Sequence, residues 1–411
     1  MVEISRAFHY PRLCPDNCRL LDMRMSYLNT SQELLKFLAD DCAKQGGVTY
    51  FLFGRELSYL IVDPQDALTA ANACLIKHYG YDLGKSWMGD GLLISSGDIW
   101  KRHRKLLNPA FTLPVIYGFL DVFNNQAKKL ASAMEPQVGK GFFDHFPYMK
   151  HNALETLCVG TFGINAIDDD NFLQKYMNSV NEMVNIGITR VVKFWLQNDF
   201  IYGLSKLKKK EIEVLKNLHA MTNTVLQKKK AAIKNEVLTN KTEFKTTDTK
   251  YKPFLDLLLE LSKNGDLTDR EVREELDTII AAGYETTSNQ LTYTLLLLGA
   301  HPEVQEKLCK ELFEVLGSER DVEKEDVNKL VYTNAVLMES LRMFPSVPIT
   351  LKYVDKDVKL SRTYAMITMK VVLAHFLRRY QIQGDISKLK MQYEFVMRPI
   401  SGHEIRIKRR M

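Results

Sequence analysis

One run limits the fold of this chain more than any other. Thr268 and Glu271 stand three apart, the spacing of a capping box, in which each residue satisfies the other's free backbone amide at a helix start. Helical signals then continue to about Gly299. This predicts a helix roughly two to three times the usual globular length. Such a helix needs packing along its whole extent, which makes it the expected central rod of a mostly helical domain. The composition agrees. Of 411 residues, 45% are hydrophobic and 26% charged, the ordinary globular mixture, which excludes global disorder, collagen and a coiled-coil rod. That length suits one large domain or two to three ordinary ones.

The rest of the chain supports a helical majority with a small β part. Thr30 and Glu33 form a second capping box before an apolar stripe that ends at Gly46-Gly47. VTYFLFGRELSYLIV at 48–62 reads as a β-hairpin turning at Gly54-Arg55. Asp63-Pro64 opens another helix, and from about 98 onward the pattern is overwhelmingly helical. No apolar run is long enough to span a bilayer; TLLLLGA at 294–300 is far too short. The net charge of +6 does not call for nucleic acid. Residues 206–252 hold 13 Lys against 5 acids, which reads first as a solvated helix end and loop and second as a membrane or partner surface.

Three weak motifs could carry chemistry. AAGYETTSNQ at 281–290 places Gly283 in mid-helix, at about 1 kcal/mol against Ala, so a close approach on that face is expected. Glu285, Thr286 and Thr287 follow within a turn, and a Thr hydroxyl there can bond back to a carbonyl and loosen the ladder. This suits a groove with an acid and a hydroxyl beside a flat ligand, or simply a helix–helix contact through small residues. ESLR at 339–342 puts Glu339 and Arg342 on one helix face before Phe344-Pro345. WKRHR at 100–104 aligns Trp100 with Arg104, an indole N–H and a guanidinium able to hold a carboxylate, while His103 is expected at the surface. Taken singly, each motif is explained as well by ordinary packing or a solvated helix face. There is no CxxC, HExxH or His pair at ligand spacing, no P-loop, no dinucleotide fingerprint and no GxSxG elbow. The six cysteines (Cys14, Cys18, Cys42, Cys74, Cys158, Cys309) make no disulfide scaffold, and none lies after position 309.

Together and in this order, WxxxR early, AGxETT on a very long helix and ExxR before a proline, the motifs closely resemble the cytochrome P-450 superfamily of heme-thiolate monooxygenases. GYDLGKSWMGDGLLISSGDIWKRHRKLLNPAF and ESLRMFPSVP look like its family 4 clan, insect-like members included, and the similarity runs from about residue 25 to 400. The resemblance implies a single mainly α domain over 1–411, with β regions near 48–62 and 345–360 and a helical core near 96–345. It implies heme as cofactor, with Trp100 and Arg104 on one propionate and Lys352, where the family usually has Arg, on the other. Gly283, Glu285 and Thr286 would line the oxygen-binding groove, Thr286 relaying protons. Glu339 and Arg342 would form a buried ion pair. The family takes electrons from NADPH through a reductase and hydroxylates lipophilic substrates such as fatty acids, terpenoids or xenobiotics. It works at the endoplasmic reticulum membrane, and a monomer is the expectation.

The departures from the family are also legible. VDKDVKL at 354–360 resembles the strand region after ExxR, and SRTYAMITMKVVLAHFLRRY resembles the helix after the cysteine loop, so a segment is missing between 360 and 361. In register the axial cysteine would fall on Lys359. The thiolate holds the iron and pushes electron density toward O–O cleavage, so a chain without it is expected to be inactive, with no metal ligand of its own. The family's N-terminal anchor is not seen, so this chain is expected to be peripheral or cytosolic. Ala282 occupies the position of the glutamate that esterifies heme in some members, so no ester is expected. Three readings follow: a monooxygenase, a heme-free remnant that at most binds apolar ligands or partners, or a heme protein with a substitute ligand such as His375.

Overall fold

The computed structural model describes residues 19–20, 48–53, 56–61, 67–68, 70–71, 74–163, 170–238, 253–353, 373–393 and 397–409. The helix at Thr30–Glu33, the Lys359 junction and the tract at 239–252 lie outside them. So does the turn Gly54-Arg55, although the strands on either side, β2 (Val48–Phe53) and β3 (Glu56–Ile61), pair antiparallel with Phe53 opposite Glu56, as the sequence predicts. Strand β1 (Arg19–Leu20) adds to β2 in parallel.

Helices α1 (Gly97–Leu107), α2 (Leu120–Met134), α3 (Phe146–Phe162), α4 (Asp170–Val192), α5 (Lys206–Leu238) and α6 (Phe254–Lys263) lead to α7 (Asp269–Ala300), then α8 (Pro302–Leu316) and α9 (Val331–Met343). Helix α7 is the expected rod. Its capping box forms: Glu271 N donates to Thr268 Oγ1 at 3.2 Å and Thr268 N donates to Glu271 Oε2 at 2.7 Å. It packs along its length on α3, α5, α6, α8 and α9. Leu276, Ile280 and Tyr284 belong to one apolar core, and Leu291, Leu295, Leu296 and Leu298 to a second. At its C-terminal end a Cβ on Gly299 would lie 2.6 Å from Gly384 N, so glycine is what lets a strand cross the helix there.

That strand belongs to a β region the helical reading of the C-terminal part did not contain. After residues 373–379, which are helical, β6 (Tyr380–Gly384) pairs with β9 (Ile405–Arg409), and β7 (Lys390–Tyr393) pairs with β8 (Met397–Ser401). The cause is a period-2 pattern too short to stand out: Tyr380 and Ile382, Ile405 and Ile407 are buried while Gln381 and Lys408 face out. A further two-residue ladder joins β4 (Ile76–Lys77) to β5 (Lys352–Tyr353).

Candidate functional site

From Glu274 to Gly299 every residue of α7 is buried except Ile279, Ala282, Gly283 and Thr286. Their spacing of i, i+3, i+4 and i+7 makes one half-buried stripe, the least covered face at the centre of the rod. Thr286 Oγ1 donates to Ala282 O at 2.7 Å, and Thr287 Oγ1 donates to Gly283 O at 2.9 Å. Both hydroxyls thus bond back to the helix carbonyls one turn earlier, where the sequence placed them. Gly283 is needed for a helix contact: a Cβ there would sit 2.9 Å from Leu157 Cδ1 on α3. Glu285 does not share the stripe. One residue back from Thr286 is about 100° around the helix. Its buried carboxylate lies 3.3 Å from the Lys150 ammonium of α3, which also donates to Asn181 Oδ1 at 3.1 Å. The acid and the hydroxyl therefore face different neighbours, not one groove.

The stripe continues toward the N-terminus of α7 in Glu275, one turn before Ile279. Glu275 Oε1 lies 2.6 Å from His103 Nδ1, and Glu275 Oε2 accepts from Leu92 N at 3.2 Å. This corrects the surface placement of His103: its side chain is fully buried, held by Glu275 and Glu271. Burial pulls against its charged form, yet the hydrogen bond and charge of Glu275, aided by Glu271, raise its pKa. The acids at 271 and 275 were the available signal, since i and i+4 share a face. Across from them α1 carries Trp100, buried, and Arg104, half-buried and lowered in pKa by that burial.

Lys352 stands in the ladder directly opposite Lys77, a residue the motifs did not single out. Lys352 Nζ donates to Cys74 O at 3.2 Å, and Lys77 Nζ donates to Leu92 O at 2.7 Å. Burial first, and the charge of Lys352 second, push Lys77 down to about 7 against the pull of Glu275.

Glu339 and Arg342 do pair, in a two-pronged contact of 2.7 Å on each prong, but the pair is not buried. Their side chains are 56% and 70% exposed. Helix α9 turns Thr333, Leu337 and Ser340 inward, and the pair lies on its opposite face. What ties α9 to α7 instead is a buried polar bridge. Ser340 Oγ lies 2.8 Å from both the Gln290 amide and Thr294 Oγ1, and Ser346 Oγ donates to Thr286 O at 3.0 Å. The polar run TTSNQLTYT was its sequence signal.

A heme fits one side of this arrangement: an open helix face, and cations at one end for carboxylates. The other side does not fit. The described thiols are all buried; Cys158 is pushed by burial up to about 12, and Cys309 Sγ donates to Leu377 O at 3.4 Å. Nor does His375 offer a ligand, because Nε2 lies 2.9 Å from Asn124 Oδ1 and Nδ1 accepts from Arg378 at 3.3 Å. Among the described residues no group of three or more His, Cys, Asp or Glu could hold a metal ion.

The family model for cytochrome P450 matches residues 25–366. Cytochrome P450 4c3 of Drosophila melanogaster is 33% identical over 315 residues, 74% of this chain and 59% of its own length. Cytochrome P450 4V2 of Rattus norvegicus is 35% identical over 291 residues, 69% of this chain and 55% of its own. The chain thus spans a little more than half the length of these curated relatives. Cytochrome P450 4g15 of Drosophila melanogaster is 25% identical over 486 residues, 87% of this chain and 84% of its own. That span exceeds the 411 residues available here, so the match opens gaps within this chain. Its relatives are family 4 proteins, the family implies a heme iron cofactor, and the chain belongs to the cytochrome P450 family.

Proposed function

We propose that this chain is a family 4-type cytochrome P450 polypeptide, one domain over 1–411, that has lost its heme-thiolate loop and does not catalyse. The reaction of its lineage is insertion of one oxygen atom into a C–H bond of a lipophilic substrate, a fatty acid, terpenoid or xenobiotic, with electrons from NADPH through a reductase. In that lineage Trp100, Arg104 and Lys352 hold propionates, and Gly283 and Thr286 line the oxygen side with Glu285 behind them. The observation that carries the reading is the combination of a register position held by Lys359, no cysteine after 309, and an ExxR pair in solvent. A monooxygenase needs the thiolate for O–O cleavage. Lys and the engaged His375 do not replace it.

Peripheral contact with the endoplasmic reticulum membrane is the localisation we favour. Among the described residues no helix is long and apolar enough to cross a membrane. Phe200 and Leu204 are 77% and 75% exposed, with Trp195, Ile201 and Ile212 nearby, and Lys206 and Lys208 to Lys210 alongside. Apolar side chains flanked by lysines suit an anionic lipid surface. Nothing in the charge distribution favours nucleic acid, and a monomer suffices for the site.

Reconstitution tests this reading. The purified chain, supplied with hemin, a P450 reductase, NADPH and dodecanoic acid, should form no hydroxylated product; product above the reductase-only background overturns the proposal. Transcripts carrying a cysteine-encoding insertion between the codons for Leu360 and Ser361 would assign the full enzyme to the same locus.

A further inference from the structure

Helix α9 shows solvent a short stretch that reads alike from both ends. Met338 and Glu339 stand one turn before Arg342 and Met343, and of the two residues between them Ser340 is buried and Leu341 half-buried. At about 100° per residue the four exposed side chains share an arc of about 140° on one side of the helix. Met338 is 46% exposed and Met343 42%, so the order along that side is apolar, acid, base, apolar. Beyond the helix the apolar surface continues through exposed Val347, Ile349 and Leu351. Contiguous apolar surface left in water marks a contact face.

The charges on this face say what fits it. A two-fold axis crossing the helix between Ser340 and Leu341 turns the order into its own complement. Met338 then falls opposite Met343 of a second copy, and Glu339 falls opposite its Arg342. The two charges cancel, so an anionic lipid surface meets repulsion from Glu339 as well as attraction to Arg342. A strongly acidic or basic partner is in the same position, whereas an identical face meets each charge with its opposite. The existing ion pair leaves room for this. Arg342 spends Nε and Nη2 on Glu339, and among the described residues Nη1 makes no hydrogen bond. Each carboxylate oxygen of Glu339 takes one of those bonds and keeps capacity for a second. A second copy can therefore be gripped without breaking the pair within the helix.

We infer that the exposed face of α9 is a self-association surface, on which two copies of this chain pack antiparallel about a two-fold axis and join their Glu339 and Arg342 side chains into one four-charge ring. It goes beyond the reading above, since neither heme nor substrate enters it. A contact that uses the same patch on both copies closes on itself, so the product is a dimer and nothing larger. One helix side with a short strip beyond it is a small interface, and small interfaces associate weakly. Dimerisation in roughly the micromolar range or above is therefore expected, and a dilute chain is a monomer with this face in solvent.

Sedimentation velocity of the full chain over about 1 to 100 µM tests the surface. The mass should move from 47.4 kDa toward twice that value, less so at high salt. Glu339→Arg alone and Arg342→Glu alone set like charges opposite each other and should each stay at the monomer mass. An equimolar mixture of these two variants should recover the dimer, because each is then the complement of the other; mixing would not rescue chains that had merely misfolded. The chain carrying both substitutions reverses every charge and should dimerise as the wild type does. A wild type that stays monomeric at the top of the range, growth beyond two copies, single variants that dimerise alone, or a mixture that stays monomeric overturns the proposal.

Discussion

Helix α9 turns Thr333, Leu337 and Ser340 toward α7 and leaves Met338, Glu339, Arg342 and Met343 in solvent. The first face is finished. Ser340 is bonded to Gln290 and Thr294 of α7, Thr333 Oγ1 donates to Glu311 Oε2 of α8, and the leucine is fully buried. The second face pairs Glu339 with Arg342 in solvent, and it continues past the helix into exposed Val347, Ile349, Leu351 and Tyr353. One helix therefore carries a packed face and, opposite it, an exposed one. The same two side chains, Glu339 and Arg342, keep their mutual geometry in either setting, because residues three apart on a helix meet whatever surrounds them. The pair is thus set by local helix geometry and does not by itself report burial.

The contrast predicts unequal responses to substitution. Lys150→Met removes the ammonium 3.3 Å from the buried Glu285 carboxylate, which should cost about 3–5 kcal/mol in urea unfolding. Arg342→Ala, on the open face, should leave the urea midpoint unchanged. Equal losses would show that the open face is covered in solution and would break the comparison.

A titration sharpens it further. Asp277 on α7 is fully buried beside Thr222, and burial pushes its carboxyl up to about 7. An unfolded carboxyl of this type titrates near 4. The folded chain therefore holds that proton more tightly, so the stability linked to Asp277 is present below about pH 4 and is lost as pH rises to about 7. The stability difference between the wild type and Asp277→Asn should fall across that window; parallel curves would contradict the buried acid.

The smallest expected effect is at the bridge. Ser340→Ala leaves the Gln290 amide and Thr294 hydroxyl with one partner fewer and should cost about 1 kcal/mol, read as a small fall in melting temperature. No change would mean that the Ser340 bridge does not hold α9 and that Leu337 and the Thr333–Glu311 bonds do.

Local signals in the sequence carried much of this. The capping box at Thr268 and Glu271, the strand pairing around 54–55 and the rod itself follow from caps, turns and periodicity, and all three are present. The ExxR contact was legible for the same reason. Its exposure was not, because burial depends on what other segments supply, and neither was the burial of His103, whose acidic partners lie more than 160 residues away. Lys77 escaped notice because a lysine in a two-residue strand carries no pattern; its meaning comes from Lys352, 275 positions later in the chain. Gly283 and Glu285 show a further limit. The motif predicted that they would face one ligand, while packing on α3 claims one for Leu157 and the other for Lys150.

The measurement that bears most directly on the proposed loss of the thiolate beneath the exposed face of α9 is the spectrum of the purified chain, supplied with hemin and reduced under carbon monoxide. The account predicts either no heme uptake or a spectrum without the red-shifted Soret band of thiolate ligation. That band, appearing in proportion to bound heme, would show a cysteine reaching the iron and would contradict it.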